Sequence, residues 1–296
     1  QEIIDFYGDG ADEELFCIPT AGTGAWLSAP LIEARMTIDT QVIRLELPRD
    51  YLHLLAVDRA SLLEPTIRQV AEAVASLDRN RTHAFGFDFA RVADLSVASL
   101  LEVSQQLRRR EAISLEMRNV PGDEQKMLTR MILKGAPRLV GAAFDATGMG
   151  WTVAEDMGRE FGIRDGDHPG GLVEAVKFTA NSDWYRLHMP PLKAAFEDDA
   201  IALIRDDEHL GDLRLVKVIR GIPRVPDLRT GAGAKKRHGD FAVALALAYY
   251  ASRMQWHEYG YVPVALAASK FDTPSSDRDD GAPARLSAMR RSKGLY

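Results

Sequence analysis

Between Thr40 and Leu47 polar and apolar residues alternate: Val42, Arg44 and Glu46 oppose Ile43, Leu45 and Leu47. That pattern predicts a strand, ended by Pro48. Pro65 suits a first helical turn, and Ile67, Val70, Val74 and Leu77 share one face, which predicts a helix over Pro65–Leu77. His83–Ala90 puts Phe85, Phe87 and Phe89 on one side of a strand and Asp88 on the other. Ser96–Val103 and Ile113–Val120 read as two more strands, with Gln105–Glu111, carrying Arg108–Arg110, as a charged turn. Pro121 stops the third strand, and Gly122–Leu133 follows as a helix with Met127, Met131 and Ile132 inward.

Leu139–Ala146 is small and apolar until Asp145, then breaks into a glycine-spaced turn. Trp151–Gly162 reads as the next helix, with Thr152 and Glu155 spaced as a capping box. Gly171–Thr179 is the next strand; Asn181–Asp198 is helical with a break at Pro190-Pro191; Asp240–Ser252, almost uniformly apolar, is a buried helix.

Short polar connections between the first three strands favour antiparallel neighbours, whereas a strand–helix–strand crossover forces parallel pairing. The expected architecture is α/β: a ribonuclease H-like mixed sheet, antiparallel through its first three strands and parallel afterwards, flanked by helices. Three regions are expected: an N-terminal extension over 1–81, the main domain over 82–268, and a flexible C-terminal tail over 269–296, where the composition turns polar and charged.

A length of 296 residues with 46% hydrophobic and 27% charged residues suits an ordinary globular chain. No apolar run approaches the ~20 residues of a membrane span. Cys17 is alone, so no internal disulfide forms and a reducing interior suits the chain. The net charge of −6 argues against wrapping nucleic acid by bulk charge, though clustered acids around a metal depress the total while a local basic rim does the holding. The first residue is Gln1, and the chain reads as a fragment of something longer.

Three aspartates sit at the punctuation between elements: Asp88, Asp145 and Asp240. A carboxylate at the end of a buried strand lies at the edge where open α/β sheets bind ligands. If the strands of Asp88 and Asp145 are neighbours, about 4.8 Å apart, both reach one small volume, and Asp240 supplies a third arm from its helix. Hard divalent cations take such oxygen ligands, and two ions roughly 3.5–4 Å apart serve phosphodiester cleavage by a metal-activated water. The bland readings are an Asx turn for Asp145 and a helix N-cap for Asp240; Asp88, inside a phenylalanine-rich strand, needs a partner or a task. Asp94 and His238 are additional candidates, and Lys235, Lys236, Arg237 and Arg91 are candidate phosphate contacts. Trp184, Tyr185 and Arg186 could clamp nucleic acid but read better as core. The chain has no G-x-x-x-x-G-K-[ST] loop and no full G-x-G-x-x-G pattern.

The ordered set GFDFARVADLSV, RNVPGDEQ, FDATGMGWTVAEDMGREFG, WYRLHMPPLKAAFED, DLRLVKVIRGIP and HGDFAVALALA resembles the large terminase subunit of tailed bacteriophages, closest to the Mu-like type, over most of Arg81–Ala251. The resemblance implies a metal-dependent endonuclease using Mg²⁺ or Mn²⁺, two ions in all, with Asp88, Asp145 and Asp240 as its acidic triad. It also implies double-stranded viral DNA as substrate, an ATPase domain of the same protein joined through the segment before Arg81, portal and small terminase subunit as partners, no membrane, and work in the bacterial host cytoplasm. Many relatives carry a second acid where Gly239 stands. Two other readings are an Mg-ATP-binding phosphotransferase of the actin/sugar-kinase class and a catalytically idle module that binds DNA or portal.

Overall fold

The computed structural model describes residues 26–90, 95–178, 183–226 and 237–254. Its first elements are α1 (Ala29–Arg35), β1 (Ile43–Glu46) and a long α2 (Ala56–Ala75). Three strands follow, β2 (Thr82–Asp88), β3 (Leu95–Val103) and β4 (Arg109–Arg118), then α3 (Gly122–Gly135), β5 (Leu139–Asp145), α4 (Gly150–Phe161) and β6 (Val173–Val176). The described part ends with α5 (Trp184–Glu197), β7 (Ile201–Ala202), α6 (Asp207–Arg214), a hairpin of β8 (Lys217–Ile219) and β9 (Ile222–Arg224), and α7 (Asp240–Ala251).

The main sheet runs β1-β4-β3-β2-β5-β6, with β7 also paired to β4. β2–β3 and β3–β4 are antiparallel; β2–β5, β5–β6, β1–β4 and β4–β7 are parallel. Within β2 to β6 this is the expected ribonuclease H-like order and polarity. β3 alone runs against the rest of this sheet, so β1, β2, β4, β5 and β6 all end at one edge. Register places Phe87 opposite Phe144 across β2 and β5, which brings the next residues, Asp88 and Asp145, to that edge side by side.

Alternation along β2 divides the core. Phe85 and Phe87 face a layer with Phe144, Leu128, Ile132 and Met157, contributed by β5, α3 and α4. Ala84 faces the opposite layer, built from α7, α5 and α1, with Phe241, Leu245, Leu192 and Ile32. Eleven of the twelve residues of α7 are buried, as its uniformly apolar sequence predicts.

Four local expectations are corrected. Pro65 lies mid-helix in α2, on its exposed side, where the carbonyl it leaves unpaired still meets water. Pro190 and Pro191 do not break α5: burial of Met189, Leu192 and Phe196, at about 1.5–3 kcal/mol each, outweighs the lost hydrogen bonds. The capping box at Thr152 does not form; its hydroxyl donates back to Met149 O. Arg109 and Arg110 belong to β4 and not to the turn before it. The tail over 269–296 lies outside the described residues.

Candidate metal centre

The carboxyl edge of the sheet gathers the three aspartates because three independent elements end or begin there. β2 delivers Asp88 in its last position, and the chain beyond is fixed by Ser96, whose Oγ accepts from Ala90 N and donates to Ala90 O, both at 2.8 Å. Gln125 on α3 adds a bond from Nε2 to Ala90 O at 2.9 Å. β5 delivers Asp145, whose Oδ1 accepts from Thr147 N at 2.7 Å. Thr147 Oγ1 in turn accepts from Phe178 N, just beyond β6, at 3.2 Å. The Asx turn is therefore real, and it also orients the carboxylate. Asp240 is the first residue of α7, after an N-cap at Gly239, and its Oδ2 accepts from His238 N at 3.1 Å.

The three acids feel one another. Burial raises the Asp88 carboxyl well above its ordinary value, and Asp240, Asp145 and Asp212 push it further; Asp145 lies within hydrogen-bonding reach of it. Asp145 is raised by burial, while Thr147 and Asp88 oppose the shift. Burial and the Asp212 charge push Asp240 up to about 6, only 7% of its surface being exposed. Oxygen donors crowded until they resist ionisation are the set that a hard cation relieves. Among the described residues no group of three or more His, Cys, Asp or Glu side chains already stands in ligating geometry. Asp145 and Asp240 each turn one oxygen toward their own backbone; three carboxylates are the donor type a hard cation takes, without being arranged here as ligands around one.

The other candidates divide. Asp94, Arg91, Lys235 and Lys236 lie outside the described residues. His238 touches the site through its backbone N–H. Arg237 does not face outward as a phosphate contact would: its side chain is 15% exposed and turned onto Glu116, Asp212 and Glu208. Trp184 is core, packed against Phe178, His188 and Tyr250. A charged recess of about 410 Å³ lies beside the triad along the same edge, lined by Arg44, Glu46, Glu116, Arg118, Asp206 and Arg237 among others.

The sequence reading missed Asp212, Glu116 and His209. Asp212 and His209 are buried on α6, and Glu116 is buried on β4. His209 stacks on Phe241 with ring centroids 3.6 Å apart, and its Nε2 lies 3.1 Å from Glu116 Oε1. The available signal was weak: a charged residue inside an apolar strand, and DEHLGDLR, a short acid-rich run to which the sequence alone assigns no element.

No family model matches the chain. Over 257 residues, 86% of its length, it is 36% identical to the Mu-like prophage FluMu protein gp28 of Haemophilus influenzae, covering 49% of that protein. Over 254 residues it is 39% identical to the probable terminase large subunit gp28 of Escherichia phage Mu, covering 44% of it. The chain thus spans about half the length of these relatives. Among solved structures it is similar to the large terminase nuclease of thermophilic phage G20c with bound magnesium, at 21% identity and a TM-score of 0.42, over 58% of this chain and 82% of that one. It is also similar to the HK97 bacteriophage large terminase, at 12% identity and a TM-score of 0.45, over 77% and 43% respectively. At such scores the fold assignment rests on the strand order, not on these likenesses.

Proposed function

We propose, on the premise that this chain is homologous to the Mu-like gp28 large-terminase proteins over about half their length, that it is the DNA endonuclease part of a viral packaging terminase. The observation that carries the reading is the meeting of Asp88 and Asp145 at adjacent strand ends with Asp240 beside them. In this reading residues 82–268 form the catalytic domain, 1–81 lead in from an ATPase domain of the same protein and add β1 to the catalytic sheet, and 269–296 are a tail.

Asp88, Asp145 and Asp240 would hold divalent cation, Mg²⁺ or Mn²⁺, two ions in all. When bound, such ions lower the pKa of water and offset the charge that develops on phosphate oxygens during hydrolysis. The protein supplies the rest. Thr147 N holds the Asp145 carboxylate in one orientation, His238 N does the same for Asp240, and the apolar layers beneath β2 and β5 keep the site rigid. Lys235, Lys236 and Arg91 are assigned to phosphate contacts. The substrate is double-stranded viral DNA, the partners are the ATPase part, portal and small terminase subunit, and the place of action is the host cytoplasm. Among the described residues no helix is long and apolar enough to cross a membrane.

The test is cleavage of supercoiled plasmid in Mn²⁺ or Mg²⁺ by the wild type and by Asp88→Ala, Asp145→Ala and Asp240→Ala, each checked for folding. Wild type cuts and each folded variant loses at least about two orders of magnitude in rate. Cutting at the wild-type rate by all three overturns the site; Mg²⁺-dependent ATP binding by wild type with no cutting favours the phosphotransferase reading.

A further inference from the structure

Among the described residues Arg237 is the most heavily engaged cation near the triad. Its Nε donates to Asp212 Oδ1 at 2.9 Å and its Nη2 to Asp212 Oδ2 at 2.7 Å, a two-pronged pairing. Nη2 also donates to Glu116 Oε1 at 2.7 Å, and Nη1 to Glu208 Oε2 at 3.1 Å. One guanidinium thereby ties the residue three before Asp240 to β4 and to α6. Asp212 completes the tie: its Oδ2 accepts from Phe241 N at 3.1 Å, in the first turn of α7 and directly beside Asp240. Asp240 is thus bracketed by two anchored neighbours, Arg237 before it and Phe241 after it.

The arrangement also settles a conflict of charge. Asp212 is a like charge close enough to act on both Asp240 and Asp88. A carboxylate there, 1% exposed, would repel the triad if nothing neutralised it. Arg237 offsets part of that charge, Asp212 remaining the larger influence on Asp240, while leaving the Asp212 oxygen on Phe241 N in place. A lysine could supply the charge but not the planar fork that meets both Asp212 oxygens and Glu116 together.

We propose that Arg237, acting through Asp212, is a positioning residue for Asp240, setting the affinity of the triad for divalent cation and making no contact with DNA phosphate. This rests on the reading of the triad as a cation site. Groups that orient ligands from behind in metal sites typically govern about 10–100-fold in metal affinity.

The experiment measures Mn²⁺ binding to the full chain by electron paramagnetic resonance, alongside DNA cleavage as a function of Mn²⁺ and of DNA concentration, and thermal melting. Arg237→Ala and Arg237→Lys are compared with wild type. The expected result is a midpoint for Mn²⁺ binding raised about tenfold or more in Arg237→Ala, a smaller rise in Arg237→Lys, and an unchanged KM for DNA at saturating Mn²⁺. If Arg237→Ala does not fold, Arg237→Lys, which keeps the charge, carries the test. A folded variant with the wild-type Mn²⁺ midpoint overturns the proposal, and so does a raised KM for DNA with that midpoint unmoved. If wild type itself binds no Mn²⁺ and cuts nothing, the endonuclease reading fails instead; if it binds and cuts and only the variant result is negative, that reading stands and the positioning role falls.

Discussion

Gly86 on β2 meets the backbone of α7 so closely that a Cβ there would lie 2.2 Å from Ala248 N and 2.1 Å from Ala244 O. That contact sets the site. Gly86 and Asp88 are two residues apart on one face of β2, about 6.7 Å along the strand. Asp240 and Ala244 are one turn apart on α7, about 6 Å along the helix. Seating Ala244 on Gly86 therefore brings Asp240 level with Asp88. Gly86→Ala forces helix and strand apart, and overpacking against backbone is expected to cost on the order of 3 kcal/mol. Melting should fall by about 6–12 °C for a domain of this size. Gly211→Ala on α6, where an added Cβ meets nothing within 4 Å, is expected to melt at or above wild type. A Gly86→Ala protein as stable as wild type would mean that α7 is not seated on β2.

The Asp240 carboxyl, pushed up to about 6 by burial and by Asp212, makes the stability of the metal-free fold depend on pH. A raised acid holds its proton longer in the folded chain than in the unfolded one, so its contribution is complete below the unfolded value near 4 and is lost as pH rises through about 6. Without metal, Asp240→Asn should therefore gain stability relative to wild type between about pH 4 and 6.5, while Mn²⁺ binding to wild type strengthens over the same interval because the ligands must ionise. Melting in a chelator across this range checks it; a difference between the two proteins that stays constant with pH rejects the assignment.

Much of this site is legible in the sequence. Asp88, Asp145 and Asp240 announce themselves because each interrupts an apolar run where an element ends or begins, and strand order then brings them together. The residues that hold them do not. Glu116 sits in β4 among Leu115 and Met117, and Asp212 in a helix rich in acids; only the crossing of β4, α6 and α7 turns them into partners of Arg237. The local rule failed at Pro190-Pro191 for a related reason. Propensity counts the hydrogen bond lost at a proline, whereas the packing that keeps α5 continuous is contributed by residues distant in the chain.

Glu111 and Glu116 lie on the same strand and are both buried, yet loss of their charges should cost unequally. Burial raises Glu111, whose Oε2 accepts from Ile204 N at 3.0 Å. Glu116 is held well below the carboxylate range: burial works against ionisation, but His209 and Arg237 overcome it. Glu111→Gln is expected to cost less than about 1.5 kcal/mol. Glu116→Ala strips a partner from a buried arginine and is expected to cost about 3–5 kcal/mol. The depressed Glu116 value also gives wild type a contribution present above about pH 4.5 and lost as pH falls further. Denaturant melts of both variants at pH 7.5 and pH 4 decide it; equal losses at both sites would contradict the network.

Gly239 stands where the terminase resemblance implies a second acid, and an acid placed there in this chain is expected to weaken the site. Its φ is +79°, in the left-handed region, where a Cβ costs roughly 1–2 kcal/mol. A Cβ at 239 would also stand 2.9 Å and 3.2 Å from the two methyls of Val225. Both penalties fall on the N-cap of α7, and a shift of that cap displaces Asp240 and the Asp240 bond from His238 N together. Gly239→Asp should therefore lower melting by several degrees and weaken Mn²⁺ binding, even though it adds an oxygen donor. Val225→Ala in the same chain clears the steric part and leaves the backbone part, so the double variant should recover some stability without reaching wild type. Tighter Mn²⁺ binding by Gly239→Asp than by wild type would mean that the left-handed turn adapts at little cost, and that the glycine here marks a missing ligand.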